Sequence, residues 1–314
     1  MPISSDNCGR FSPTWQHRIS AKPPFPLRLR QFVFLLLSLF LCACAANKKL
    51  TIGAAASLVE DVVRASAKQS DLNMIRSGMP AYLMLMDGMV EAWPDNERLL
   101  IAAAQGYDTY TSSFVEEQDR QSAADLYAHA KGYALRALEC RGLRHAVQCP
   151  LEKFEQKLMK LNRKDVPYLF WAATAWGNWI RLNLRSMEAL AELPRVELMM
   201  RRVLTLDETF HHGSPHLFMG IWFASRPEAA GGSLTLAQHH FSKALELGER
   251  KFLMAHVYYA EHYARRAFDK ELYTALLNEV LSQPADSAPH LTLLNTAARH
   301  KARQLLTEVD ELFE

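Results

Sequence analysis

Glycine is scarce and scattered, 13 in 314 residues, and no glycine-rich run of the phosphate-cradling kind occurs. Nucleotide binding through such a loop is thereby excluded, and the absence of a nucleophile elbow and of an HExxH pair removes two common hydrolase designs. Alternation of apolar and polar residues at a period of two is rare, which argues against a sheet-built core. Charge of one sign is missing too: 36 Lys and Arg stand against 34 Asp and Glu, a net charge of +2. Without a basic excess there is nothing to attract a phosphate backbone, so nucleic acid is not an expected partner. Apolar residues at 49% and charged residues at 22% exclude general disorder and a collagen-like or coiled-coil rod.

What is present begins with an export signal. Arg28 and Arg30 precede the apolar run FVFLLLSLFL, Phe32 to Leu41, which at about ten residues is too short to span a bilayer. Small residues follow. Leu41-Cys42-Ala43-Cys44 resembles the bacterial lipoprotein processing site, with Cys44 as the acylated residue. This predicts a signal over residues 1–43 and a single mature domain over 44–314. Several acyl chains on Cys44 would hold that domain to a membrane surface. Alanine at 45 and 46, with no aspartate, points to the outer membrane and the periplasmic side of the envelope. Residues 1–43 carry five basic residues against one acidic, and the remainder 31 against 33, so the basic character is concentrated in the signal. The stretch before Arg28 is long for a basic leader and suggests a translation start downstream of Met1.

Of five cysteines, Cys8 and Cys42 would leave with the signal. Cys140 and Cys149 remain, bracketing CRGLRHAVQC. An oxidising compartment permits a loop-closing disulfide between them, and two free thiols are the alternative. With His145 they fall short of four metal ligands.

The mature chain reads as all-α, helix after helix, with apolar residues three and four apart. Expected helices cover 58–68, 72–93 (with Pro80 opening a second segment), 97–114, 121–141, 151–161, 166–182, 184–206, 214–225, 234–247, 251–264, 270–281 and 291–312. Short helices at this density suggest stacked antiparallel pairs. Ala237 to Leu247 and Met200 to Asp207 resemble second helices of tetratricopeptide repeats, at a spacing of 41 residues against about 34 in an ideal repeat. Met84 to Asp95 is a third such piece, and the excess fits an insertion at FASRPEAAGG, Phe223 to Gly232.

Candidate chemistry is thin. His211, His212, His216, His239, His240, His256 and His262 have no carboxylate spacing that supports a metal, and read as repeat-surface or core-edge residues. Glu116, Glu117 and Asp119 read as a helix end with solvated charges. No cofactor is expected. The aromatic segment Tyr168 to Ile180 is richer: Tyr168, Trp171 and Trp179 share one side of a helix, while Trp176 faces elsewhere. Three indole N–H groups need partners, so core packing and a groove or channel wall are both open readings. Tyr107, Tyr110 and Phe114 earlier, and Trp222 and Phe223 later, share either role.

Several blocks in order resemble the T component of tripartite ATP-independent periplasmic (TRAP) transporters. They are LIAAAQGYDTYTSSF at 100–114, AKGYALRAL at 130–138, YLFWAATAWGNWIRLN at 168–183, LPRVELM at 193–199, the run Gly213 to Ala244, and FLMAHVYYAEHYAR at 252–265. The resemblance covers about residues 50–312. It implies a lipoprotein of divergent tetratricopeptide-like helix pairs, a homotrimer, and association with the periplasmic solute-binding P component. It also implies a partly hydrophobic channel that helps deliver an apolar or amphipathic ligand, such as a carboxylate. By the same analogy Gly213, Pro215, His216, Arg226, Pro227, Gly231 and Gly232 form a structured connection near the channel or protomer surface. The Cys140 to Cys149 segment departs from the pattern. In such a channel Trp171, Trp176 and Trp179 would hold an apolar body, with Asn178, Asn183 or a nearby arginine orienting a polar end. The alternatives are an envelope scaffold lipoprotein binding peptides or assembly proteins, a cell-wall enzyme or its regulator, and a structural lipoprotein with no ligand.

Overall fold

Asp71 ends an extended residue and its carboxylate accepts the backbone N–H groups of Asn73 and Met74. That cap starts α1, Leu72–Ala92, in the computed structural model that describes Gln31 and residues 58–59, 61–145 and 147–314. The signal segment and Cys44 lie outside the described residues. Residues 51–314 form one compact unit, and every regular element described in it is helical.

The same chemistry recurs at several other starts. Asn96 caps α2, Glu97–Tyr110, and Asp119 caps α3, Arg120–Leu138. After the short α4, Leu151–Leu158, Asn162 and Asp165 make a reciprocal capping box on a single turn that leads into α5, Val166–Leu182. Ser186 opens α6, Met187–Ala191, and α7 follows over Leu193–Asp207. Then come α8, Phe210–Ala224; α9, Leu234–Leu247, capped by Ser233; and α10, Leu253–Tyr259. The series closes with α11, Lys270–Ser282, capped by Asp269, then α12, Thr292–Thr307, and α13, Val309–Phe313. Each of these oxygens satisfies donors that the helix itself leaves unpaired.

Several boundaries differ from the sequence expectation, and the stretch 291–312, for one, divides into α12 and α13. Leu184 to Leu206 is not one helix but α6 and α7, because Pro194 in the first turn of α7 forces a fresh start. Conversely, Pro80 does not divide α1. It sits on the exposed face together with Arg76, so the Arg76 carbonyl that loses its partner is met by water.

Helices pack on neighbours near in sequence: α2 on α3, α3 on α5, α5 on α7, α8 on α9, and α10 and α11 on α12. Small residues let them approach, with Ala123, Ala130, Ala134 and Ala137 of α3 and Ala172, Ala173 and Ala175 of α5 all buried. The last long helix returns to the first, where α12 meets α1 and the Leu293 N–H donates to the Ala67 carbonyl at 3.0 Å.

The connection from α8 to α9 is tight at Gly232, whose N–H donates to the Pro227 carbonyl at 2.9 Å. A methyl group there would lie 1.9 Å from the Arg226 carbonyl oxygen. Gly232→Ala is therefore expected to cost about 1–3 kcal/mol through displaced backbone. Chemical denaturation would check this, and an unchanged midpoint would contradict it.

Candidate functional site

Among the described residues three helices run into a π turn, one of them α3 at Glu139–Leu143. Residues Thr111–Val115 after α2 and Ala260–Ala264 after α10 each wind one π turn, a distortion common where side chains are re-aimed. The first is accompanied by Thr111 Oγ1 donating to the Tyr107 carbonyl at 2.6 Å. These turns place Glu116 and Glu261 in a charged cluster to which α5 and α12 also contribute.

Glu116 is gripped by both terminal nitrogens of Arg181 from α5, with Nη2 at 2.6 Å from Oε2, and the Tyr127 hydroxyl donates to it at 2.7 Å. Lys301 of α12 places its ammonium 3.3 Å from Glu117 and 3.0 Å from Glu261. The Tyr258 ring lies 6.0 Å from that ammonium and 5.7 Å from the His262 ring. Behind Arg181, Asn178 Nδ2 donates to the buried Asp108 at 2.9 Å.

The electrostatics are those of a partly buried cluster of ions. Burial works against the Arg181 and Lys301 charges, yet their carboxylate neighbours outweigh it and raise both pKa values. Burial pushes Asp108 up to about 6, with the Asn178 hydrogen bond and the Arg181 charge opposing it, and holds His262 down at about 4. The Arg181 side chain nevertheless keeps 39% of its surface open.

The aromatic residues are distributed over several clusters. Trp176 is fully buried, and its indole N–H donates to Glu192. The Lys131 ammonium bridges to the same carboxylate at 2.7 Å and sits 3.7 Å over the half-buried Trp179 ring and 4.9 Å over Trp176. Asn183 is occupied locally, donating to the Trp179 carbonyl. Trp171 meets His211 edge-on. Trp222 donates to Glu197 at 3.2 Å under the Arg226 guanidinium, and Phe223 stacks on His240. Tyr107 donates to Asp87 at 2.7 Å and stacks on His129. Tyr110 packs on Phe114, which lines an apolar crevice with Leu72, Ile75, Met79, Leu293 and Leu294 at the junction of α1, α2 and α12. That crevice has a free volume of about 40 Å³, on the order of one or two waters.

The connection residues also find places. His211, His212 and Gly213 occupy the left-handed region in succession at the start of α8, and at Gly213 a methyl group would press on Leu247 at 3.0 Å. Pro215 and His216 are buried in α8, where His216 contacts His240 at 2.9 Å through Nδ1 and Glu208 at 3.1 Å through Nε2. Arg226 donates to the Trp222 carbonyl. Pro227 precedes a single 3-10 turn, which Gly231 ends in the left-handed region. Cys140 Sγ lies 3.6 Å from the Asp95 carbonyl, and the Cys149 carbonyl accepts from Arg195 at 2.9 Å.

Glu116, read from the sequence as a solvated helix-end charge, instead pairs with Arg181, whereas Glu117 is exposed and only reaches Lys301 at 3.3 Å. Tyr258, Glu261 and Lys301 carried no signal of their own in the sequence. Among the described residues, no group of three or more His, Cys, Asp or Glu is placed to hold a metal ion, and no helix is long and apolar enough to cross a membrane.

A search of curated proteins returns no match. The family described as TAtT, TRAP transporter T-component, matches residues 68–313, which takes in every element from α1 to α13. The chain thus belongs to the TRAP transporter T-component family, and its role is that of an accessory component of a TRAP-type transport system.

Proposed function

We propose that the protein works on the periplasmic side of the envelope, tethered by acylated Cys44 to the outer membrane, and binds the solute-binding P component of its transport system. The helix pairs form a tetratricopeptide-like stack, and the charged cluster around Arg181 and Lys301 receives the polar end of an amphipathic ligand handed between the components. The observation that supports this reading is the meeting of Arg181, Lys301, Glu116 and Glu261, partly buried side chains from elements far apart in sequence, in one charged cluster. Trp179, half-buried beside Lys131, is the aromatic residue best suited to an apolar body. Trimer formation and a Cys140–Cys149 bond in the oxidising envelope belong to the same reading.

The test is capture of the tagged full-length chain after cross-linking in cells, with mass spectrometry of what is retained. Recovery of a solute-binding protein in near-stoichiometric amount is expected. Reproducible recovery of envelope-assembly proteins in its place would replace the transport reading with a scaffold.

A further inference from the structure

Two histidines far apart in the sequence present the same ring atom to each other. His212 is half-buried in the left-handed turn that opens α8, and His290 is exposed on the single 3-10 turn before α12. Their Nε2 atoms stand 3.2 Å apart. The turn sorts its two histidines. The His211 ring packs among Phe170, Trp171 and Phe252, whereas the His212 ring lies between Phe252 and His290.

Facing nitrogens of two neutral imidazoles share one hydrogen or one metal ion. A straight N–H···N bond of this length holds the ring centres about 5.5 Å apart. Here they are 5.0 Å apart, so the bond is bent and weak. His216 and His240 show the contrast: with 2.9 Å between their Nδ1 atoms, their centres are also 5.0 Å apart, close to the distance of about 5.2 Å in a straight bond. Two imidazoles on one tetrahedral ion, with metal–nitrogen bonds of about 2.0–2.1 Å, hold their nitrogens about 3.3 Å apart, which His212 and His290 nearly match. Charge favours the same occupant. Burial and the neighbouring His290 hold His212 below the usual histidine range, so its lone pair is not taken by a second proton at neutral pH. Glu249 is the carboxylate that acts on His212, although Lys251 bonds it at 2.6 Å. The adjoining Gly248 lies against the His212 carbonyl, where a methyl group would come within 3.1 Å.

We infer that His212 and His290 together bind one divalent transition-metal ion, Cu²⁺ in preference to Zn²⁺, with water completing its shell. Imidazole suits both ions, and Cu²⁺ is held more tightly by a given set of nitrogens. On binding, the shared hydrogen passes through water to the Nδ1 of its own ring, so both Nε2 atoms turn lone pairs to the ion and no net proton leaves. Two protein ligands, against four in a structural zinc site, make an exchangeable ion that clips the start of α8 to the start of α12. The pair shares no residue with the charged cluster around Arg181 and Lys301, so it stands whether or not that cluster meets a ligand.

Cu²⁺ and Zn²⁺ are titrated calorimetrically near pH 7.5 into the full-length chain, free of any polyhistidine tag and held in nanodiscs of neutral lipid, with empty nanodiscs as the blank. One ion per chain is expected, with Cu²⁺ bound at least about tenfold more tightly than Zn²⁺, and paramagnetic resonance of the Cu²⁺ form is expected to report two imidazole nitrogens. His290→Ala, at an exposed position, and His212→Asn, which suits the backbone at φ 60°, are each expected to weaken binding at least about tenfold. His239→Ala, an exposed histidine outside the pair, is expected to change nothing. Zn²⁺ is expected to raise the melting temperature of the native chain but not of His290→Ala. Dissociation constants weaker than about 100 µM for both ions would overturn the inference, as would an affinity that survives both substitutions in the pair.

Discussion

Trp176→Ala is expected to lower the unfolding free energy by about 3–5 kcal/mol, whereas Trp179→Ala, three residues on, is expected to cost about 1–2 kcal/mol. The two rings share one lysine. Trp176, however, has no exposed surface, and its indole N–H is spent on Glu192. Its removal leaves a large cavity and strips a donor from a half-buried carboxylate that Lys131 must then satisfy alone. Trp179 is only partly covered, and what it loses is the face that Lys131 approaches at 3.7 Å. Urea unfolding of both variants checks the contrast. Equal, large losses would make Trp179 a core residue and end its candidacy as a ligand contact. A near-native Trp176→Ala would instead show that the core tolerates an empty indole site.

Acidification from about pH 6.5 to about pH 4 is expected to destabilise the domain by several kcal/mol, on the order of 1.4 kcal/mol per unit of pKa displacement. Burial holds His211, His240 and His262 each at about 4 in the folded protein, well below the usual 6.5. Between these values the unfolded chain binds protons that the folded chain refuses, so stability is complete above pH 6.5, falls as pH drops, and levels off below 4. His211 is packed among Phe170, Trp171 and Phe252, and His240 lies 2.9 Å from His216, so neither readily accepts a charge. Asp108 acts in the opposite sense. Burial lifts it to about 6, and the proton it retains between pH 6 and its unfolded value supports the fold on acidification. One such carboxylate offsets part of three histidines, not all. Melting temperature measured across this interval checks the sign, and His211→Asn, which suits the left-handed backbone at φ 46°, should flatten part of the slope. A flat profile for the native chain would refute the argument.

Helices were readable because their signals are local. Asp71, Asn96, Asp119, Ser233 and Asp269 all cap where their side chains can reach the next turn. The aromatic density of residues 168–180 drew attention to α5, and that helix does supply Arg181 and Asn178 to the charged cluster. The rest of the cluster could not be read in the same way. Glu116 and Arg181 are 65 residues apart, and Lys301 is farther still from Glu117. Nothing in the run EEQD distinguishes an acid that will meet a guanidinium from one that will meet water. The π turns, which decide where Glu116 and Glu261 point, depend on how α2 and α10 end against their neighbours. The left-handed turn His211–Gly213 is a tertiary effect of the same kind, since only Gly213 of the three favours that backbone.

The hydrogen bond from Leu293 to Ala67 bears on how the domain comes apart. An open array of helix pairs loses its outermost units first, because each end is held on one side only. Here the first and last long helices hold each other, so neither behaves as a free end. Fraying at one terminus strips a neighbour from the other, and partial loss becomes no easier than complete loss. The two ends of the described helical series are thereby expected to unfold together, which amide exchange at Leu293 and along α1 would report.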